Sequence, residues 1–297
     1  MPTKEQLEAR KNHIGASDVG SILGLNPYKS AYDVWLEKTG KVNSQSDTIE
    51  TNLGKELEQV VLNIAENELG KMERDPNKLY YEAPGIKIIG SNLDAEIIES
   101  KIPVEAKTTG IKSAFAVEHW GEAGTDDIPD RIVAQCSTQL LCTGKDVCYV
   151  PVLIGGRGYC LYAVYRDKEL IDMIVEKATF FWENHVIKDI PPDDTLPSLK
   201  YLKKVMRQPK SIADLTTSEE LVSQWLIAKE TKKIAEKAVE NAEIVLLEKL
   251  GTCEAGNLNM GTITFYEQNR KGYTVAPSTF RVLRFSKIKE LTDGKKN

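Results

Sequence analysis

The chain has no apolar run approaching the roughly eighteen residues that a membrane-spanning helix needs, so none is expected. It has no C-x-x-C pair. Its five cysteines, Cys136, Cys142, Cys148, Cys160 and Cys253, are odd in number and scattered. That pattern gives no support to a disulfide framework or to a zinc or iron–sulfur site, and the thiols read as buried and reduced. Histidine is scarce, with only His13, His119 and His185, and His13 reads as a structural residue. The start, Met1-Pro2-Thr3-Lys4-Glu5, lacks the basic-then-apolar pattern of a secretory signal, so a cytoplasmic protein is expected. There is also no overall excess of positive charge. The net charge of -5 argues, taken alone, against a simple polyanion binder.

That total conceals a split. Residues 1–199 hold 32 Asp and Glu against 21 Lys and Arg, whereas residues 200–297 hold 12 against 18. An acidic body is followed by a basic last third. With 297 residues, 41% apolar and 28% charged, the composition is that of a globular chain with room for one large domain and an appendage.

Residues 3–12 read as a short helix. Ser17 is placed to cap a second helix over about 18–23, and Ser30 a third through Lys38 to Gly40. A longer helix is predicted from about Thr51 to Leu69, where Gly70 stops it, with Leu57, Val60, Val61, Ile64 and Ala65 at helical spacing. The period then shortens. Ile86–Ile89, Ala95–Ile98 and Ile102–Lys107 read as strands, followed by a helix over Pro129–Cys142. A hairpin of Val147–Ile154 and Tyr159–Tyr165 comes next, then a helix from Asp167 to Val186. This order predicts an α/β (α+β) fold with a central mixed sheet flanked by helices. Ile190-Pro191-Pro192 marks the clearest break. Beyond it Thr217 and Glu220 form a capping-box pattern at the start of the longest helix, which Gly251 closes. Ala228, Ala235, Ala238, Ala242 and Val245 give that helix a small-residue face suited to packing on another helix. Thr262–Glu267 and Thr279–Ser286 read as a terminal pair of strands. The expected division is residues 1–190 as one domain, 191–216 as linker and short helix, and 217–297 as long helix plus β-hairpin.

The residues with the most chemistry are Asp94, Glu105 and Lys107. Residues two apart in a strand share a face, so Glu105 and Lys107 project together with Ala106 turned away. If the runs containing Asp94 and Glu105 are adjacent, the two carboxylates and the lysine share one edge. Carboxylates supply hard oxygen ligands for Mg²⁺, and a lysine can orient a nucleophile or offset phosphate charge. On these three residues alone, a surface hairpin with a cross-strand ion pair is the stronger reading.

The surrounding sequence bears on that choice. Ile14-Gly15-Ala16-Ser17-Asp18-Val19, Ile22–Ser30 and Trp35–Gly40 resemble the opening of the YqaJ-type viral recombinase family, phage and prophage nucleases similar to lambda exonuclease. Gly54-Lys55-x-x-Glu58 resembles the family's acidic helix motif. Asp94 with Glu105-Ala106-Lys107 resembles its PD-(D/E)xK core, and Ala134-Gln135, Gln139-Leu140 and Thr143-Gly144 resemble its glutamine helix. The likeness spans roughly residues 10–190. The local sequence Ser91-Asn92-Leu93-Asp94-Ala95 departs from the family's Pro or small residue before the aspartate and Gly after it.

The resemblance implies a restriction-endonuclease-like core. It also implies metal ligation by Glu58, Asp94, Glu105 and the Ala106 carbonyl, with Mg²⁺ or Mn²⁺ as the ion. Lys107 is the implied catalytic lysine near the attacking water, and Gln135 is implied beside the acidic cluster. Arg10 and Ser17 are similar to the pair that grips a DNA 5′-phosphate, where an arginine fork meets a helix start that favours anions. Trp35 and Tyr28 read as core residues.

In the last third, Lys203, Lys204, Arg207, Arg270, Lys271, Arg281 and Arg284 stand among the aromatics Tyr266, Tyr273, Phe280 and Phe285. Cations interleaved with aromatics suit a nucleic-acid surface. A solvated helix with a small hairpin, or a subunit interface, reads equally well from the same residues.

What the resemblance implies is a Mg²⁺-dependent exonuclease of phage or prophage origin in a bacterial host. It would act 5′→3′ on linear double-stranded DNA and leave 3′ tails for a single-strand-annealing partner. A homo-oligomer, in some members a ring, is implied as well. Two other readings stay open: an endonuclease or 3′-end processor of the same fold, and a DNA-binding or assembly module without catalysis.

Overall fold

The structure, a computed structural model, describes residues 10–42, 49–110, 119–193, 195–207 and 212–267. The chain forms two compact units, residues 1–207 and 208–297.

The first unit opens with a 3₁₀ turn, Arg10–Asn12, and the short strand β1, Ile14–Gly15. Helix α1, Ala16–Ile22, follows at once. Its N-cap is Gly15 rather than Ser17, and the Asp18 carboxylate accepts the Gly15 N–H at 3.2 Å. Ser17 is therefore the second helical residue, not the cap. Helix α2, Ala31–Lys38, has the expected cap. The Ser30 hydroxyl accepts from Asp33 N at 3.1 Å, and the Asp33 carboxylate accepts from Ser30 N at 3.0 Å. Helix α3 runs Ile49–Leu69 and ends at Gly70, whose φ of 91° is the left-handed value that glycine takes at low cost.

Two sheets follow. The smaller has the order β1–β4–β3, where β3 is Tyr80–Ala83 and β4 is Ile86–Asn92. The larger contains β2 (Met72–Glu73), β5 (Ala95–Ile97), β6 (Pro103–Val104), β7 (Lys107–Thr109), β8 (Val147–Ile154) and β9 (Gly158–Tyr165). The strands β6 and β7 are two halves of one line. Val104 pairs with Tyr149 and Lys107 with Val152 at a constant offset, both parallel, and Glu105 N donates to Tyr149 O at 2.9 Å between them. The sheet is mixed: β2–β5, β5–β6 and β8–β9 are antiparallel.

Helices cover both faces of the larger sheet. On one side Val61, Leu62 and Ala65 of α3 pack with Ala95, Ile97, Val104 and Ala106. On the other, Ile132, Cys136 and Leu140 of α4 (Asp130–Thr143) pack with Cys148, Val150, Val152 and Tyr162. The opposite edge of α4 joins a third cluster, in which Ala134 and Cys142 meet Ile14, Val19, Val34, Trp35 and Ile89. Period-2 alternation along β8 and β9 is what sends Val150 and Tyr162 to α4 while Tyr149 and Tyr159 turn to the α3 side. The mixed sheet with flanking helices is the fold class expected from the element order.

Helix α5, Lys168–Phe181, is capped by Asp167 and passes into a π turn, Trp182–Val186. The expected linker does not start at residue 191. Ser198 N donates to Asp33 at 3.0 Å, buried Tyr201 of helix α6 (Leu199–Leu202) donates to Glu37 at 2.6 Å, and Val42 pairs with Val205. Residues 198–205 thus belong to the first unit.

In the second unit a 3₁₀ turn, Thr216–Ser218, precedes α7, Glu219–Leu250. The Thr217–Glu220 capping box does not form, because Thr217 lies inside the turn and Ser218 is the N-cap. Strands β10 (Ala255–Leu258) and β11 (Gly261–Thr264) make a hairpin. No residue of α7 is buried, so its alanine face has no partner helix among the described residues. Thr279–Ser286 lies outside the described residues.

Four of the five thiols are buried as expected, and Cys253 is exposed. Trp35 is core, but Tyr28 is 60% exposed, with the Arg131 guanidinium 5.8 Å from its ring centre.

Candidate active site

Asp94 stands where the chain leaves the smaller sheet and enters the larger. Strand β4 ends at Asn92, Leu93 N donates to Leu79 O at 3.0 Å, and β5 begins at Ala95. Antiparallel pairing sets Ala95 opposite Val104, so Asp94 falls beside the interruption between β6 and β7. There Asp94 Oδ2 accepts the Ala106 N–H at 3.0 Å. Its Oδ1 has no hydrogen-bond partner among the described residues.

Glu105 is 2% exposed. A carboxylate so buried needs partners for its lone pairs. Oε1 accepts from Gln135 Nε2 at 2.6 Å and from Lys107 Nζ, while Oε2 accepts from Gln139 Nε2. Gln135 and Gln139 are four apart on α4 and so reach the sheet from one helix face. Gln139 is wholly buried, and its Oε1 accepts from the Cys148 thiol at 3.2 Å. A thiol donor at the amide oxygen fixes which end of the amide faces Glu105.

Glu58 arrives from α3, on the turn before Leu62 and Ala65, which anchor that helix to the sheet. Burial and then Glu105 push the Glu58 carboxyl above its ordinary value, against the pull of Lys107 and Lys55. Burial, Glu105 and Glu58 push Asp94 well above the usual carboxylate range, with Lys107 and the Ala106 N–H opposing. Burial would lower Lys107, but Glu105 and Asp94 outweigh it and raise the ammonium above its usual value. Three acidic groups therefore share a field that Lys107, with Lys55 beside Glu58, only partly offsets.

The structure thus brings together Glu58, Asp94, Glu105, Ala106, Lys107 and Gln135. It adds Gln139, which the resemblance named only as part of the glutamine helix. Its signal was the spacing of four from Gln135. Among the described residues, no three His, Cys, Asp or Glu side chains form a compact metal-holding group. The donor set is nonetheless suited to Mg²⁺, an ion that takes one or two carboxylates, keeps several waters and completes its shell with substrate phosphate.

The remaining candidates lie elsewhere. Ser17 is exposed on the first turn of α1. The backbone of Arg10 is in the 3₁₀ turn, but its side chain lies outside the described residues. Lys203 and Arg207 are exposed just beyond α6 and make no ion pair with the carboxylate group, and Lys204 is half-buried there. Arg270, Lys271, Arg281 and Arg284 lie outside the described residues.

The chain is similar to several known proteins. Residues 5–146 match the family described as the YqaJ-like viral recombinase domain. The chain is 31% identical over 264 residues to the uncharacterized protein YqaJ of Bacillus subtilis (strain 168), covering 86% of this chain and 81% of that one. Among solved structures it is similar to an alkaline exonuclease from Laribacter hongkongensis, at 20% identity and a TM-score of 0.48, covering 63% of this chain and 94% of that one. A phage-related exonuclease from Haemophilus somnus 129PT gives 13% identity and a TM-score of 0.43, over 60% and 96% of the two chains.

Proposed function

We propose, for a chain that belongs to the YqaJ-like viral recombinase family, that it is a metal-dependent deoxyribonuclease acting on the ends of linear duplex DNA. The observation that carries this reading is the convergence of Asp94, Glu105 and Lys107 at one break in the sheet, with Glu105 clamped by two glutamines. That clamp argues against a surface ion pair, because a solvated hairpin carboxylate has no need of buried amide donors.

Asp94, Glu105 and the Ala106 carbonyl would hold Mg²⁺ or Mn²⁺, with Glu58 completing the acidic set. The ion supplies Lewis acidity toward the phosphate and lowers the pKa of water. Lys107 orients the nucleophile and offsets charge on the scissile phosphate. Gln135 and Gln139 keep Glu105 aimed. Arg10 and Ser17 receive the 5′-phosphate, which gives 5′→3′ polarity and leaves 3′ tails for a single-strand-annealing partner. The assembly is a homo-oligomer, which light scattering measures directly.

Digestion of end-labelled linear duplex tests the reading. With Mg²⁺ the parent should shorten 5′-phosphorylated ends, and Asp94→Ala and Lys107→Ala should each lower the rate at least about a hundredfold, in line with removal of a group acting in the transition state. Variants that digest at the parent rate would remove the site from this assignment. Equal rates on 5′-hydroxyl and 5′-phosphoryl ends, with Arg10→Ala silent, would remove the phosphate pocket. Cleavage of a covalently closed circle would make the enzyme an endonuclease.

A further inference from the structure

A groove of about 400 Å³, whose lining includes Asn92 two residues before Asp94, is not used by the chemistry above. It is lined by Asn12, His13, Asn77, Tyr80, Glu82 and Asn92, together with Pro76 and Lys87. We infer that it seats an unpaired nucleobase at the end of a DNA strand, an inference that rests on the deoxyribonuclease reading.

The wall of the groove is aromatic and held in place. The Tyr80 ring is 40% exposed, and its centre lies 5.4 Å from that of buried His13, tilted by 58°. Pairing of β3 with β4 puts Tyr80 opposite Asn92 and Glu82 opposite Gly90. Tyr80 lies across Gly90. A Cβ there would come within 2.7 Å of the tyrosine Oη, 3.0 Å of its Cε2 and 3.1 Å of His13 Cδ2. Gly90 is needed for space rather than for backbone freedom, since its φ is not among the positive values. The bare backbone leaves room for the ring over β4, and Tyr80 keeps part of its surface open.

The polar lining favours a base over a phosphate. Lys87 and Glu82 cancel in formal charge, and the rest of the polar rim is the three amides Asn12, Asn77 and Asn92. A phosphate is recognised by cations and clustered N–H donors, whereas a base offers a π-face and neutral donor and acceptor edges. Amides carry both donor and acceptor, and the Asn12 and Asn92 side chains make no hydrogen bond among the described residues. The volume is at the small end of ligand pockets, which run from roughly 300 to 1,000 Å³.

Position ties the groove to the reaction. Asn92 lines it and stands two residues before Asp94, at most about 7 Å along an extended chain. That is about two nucleotides at roughly 3.4 Å of rise each. A base drawn out of the stack onto Tyr80 would hold its strand open beside the carboxylates.

The test uses a linear duplex whose terminal nucleotide is unpaired 2-aminopurine, bound to the full chain in an Asp94→Ala background that does not digest it. Binding should quench the fluorophore, Tyr80→Phe should keep the quench, and Tyr80→Ala should lose it. In the Asp94 parent, KM for the duplex should rise on the order of tenfold with Tyr80→Ala, the scale of one lost base–aromatic stack. An abasic residue at the same end should weaken binding to the unsubstituted Tyr80 protein by a similar factor, a measurement independent of whether Tyr80→Ala folds. Absence of quench, or equal affinity for abasic and base-bearing ends, overturns the inference while digestion by the parent leaves the deoxyribonuclease reading standing. A parent that neither binds nor digests the duplex overturns that reading itself.

Discussion

Gln139 has no exposed surface, yet it carries one of the three side-chain contacts that hold Glu105. The Cys148 thiol behind it decides how its amide is turned. Cys148→Val should leave a buried amide oxygen without a donor and cost roughly 1–3 kcal/mol, whereas Cys148→Ser keeps a donor and should cost less. Urea unfolding of both variants measures the difference, and equal losses would make the thiol a matter of packing alone. Asp18 poses a second residue-scale question. It is ion-paired to Lys29 at 2.9 Å and Lys38 at 2.7 Å. Burial opposes its ionisation, but Lys29 and Lys38 prevail and hold the carboxyl far below its usual value. A depressed folded pKa gives stability that is present above the unfolded value of about 3.9 and is lost as pH falls through the folded one. Asp18→Asn should therefore destabilise by about 3–5 kcal/mol at pH 7, as expected when one partner of a buried pair is removed. The gap to the parent should narrow as urea midpoints are followed below about pH 4. A gap that stays constant down to pH 2 would show that Asp18 acts through its hydrogen bond to Gly15 rather than its charge.

At the scale of elements, the site depends on how helices meet the sheet. Gly20 of α1 lies against α4, where a Cβ would be 3.1 Å from Arg131 Cβ and 3.3 Å from its backbone. That close approach sets α4, and with it both glutamines. On the other face α3 is anchored by Val61, Leu62 and Ala65, one to two turns beyond Glu58. Leu62→Ala should cost about 2–5 kcal/mol in stability, the usual range for a buried leucine. Because Glu58 rides on the same helix, the variant should also lose metal affinity, read by calorimetry with Mn²⁺. A stability loss with unchanged affinity would show that Glu58 does not depend on that anchor. The strands explain what could and could not be read in advance. The runs of β4, β5, β8 and β9 were visible from period-2 patterning. The two-residue strands β1 and β2, and β3 with its alternating exposed positions, were not, because so few residues carry no period. They exist because neighbouring backbone N–H and C=O groups needed partners.

At the scale of the molecule, every buried residue among those described lies at or before Tyr201. The first unit has its own three apolar clusters, and α7 has no buried residue. Residues 1–207 alone should therefore melt cooperatively, within a few degrees of the full chain, by circular dichroism. A broad or absent transition would show that residues 208–297 supply part of the first unit's stability. The charge split follows the same division. Much of the acidity belongs to the unit that holds Glu58, Asp94 and Glu105, and a divalent ion bound as proposed would offset it locally. The total of -5 says little about the substrate, and its distribution says more.

The sequence by itself determined the local structure that depends on near neighbours. The Ser30 cap, the stop at Gly70, the shared face of Glu105 and Lys107 and the spacing of Gln135 and Gln139 are all set within a few residues along the chain. Tertiary structure alone decided that Asp94 meets Ala106, that both glutamines meet Glu105, that Cys148 orients one of them, and that Tyr80 crosses Gly90. Those contacts join residues 9 to 34 positions apart. They follow from strand register and helix approach, which depend on packing the whole sheet and which no local period encodes.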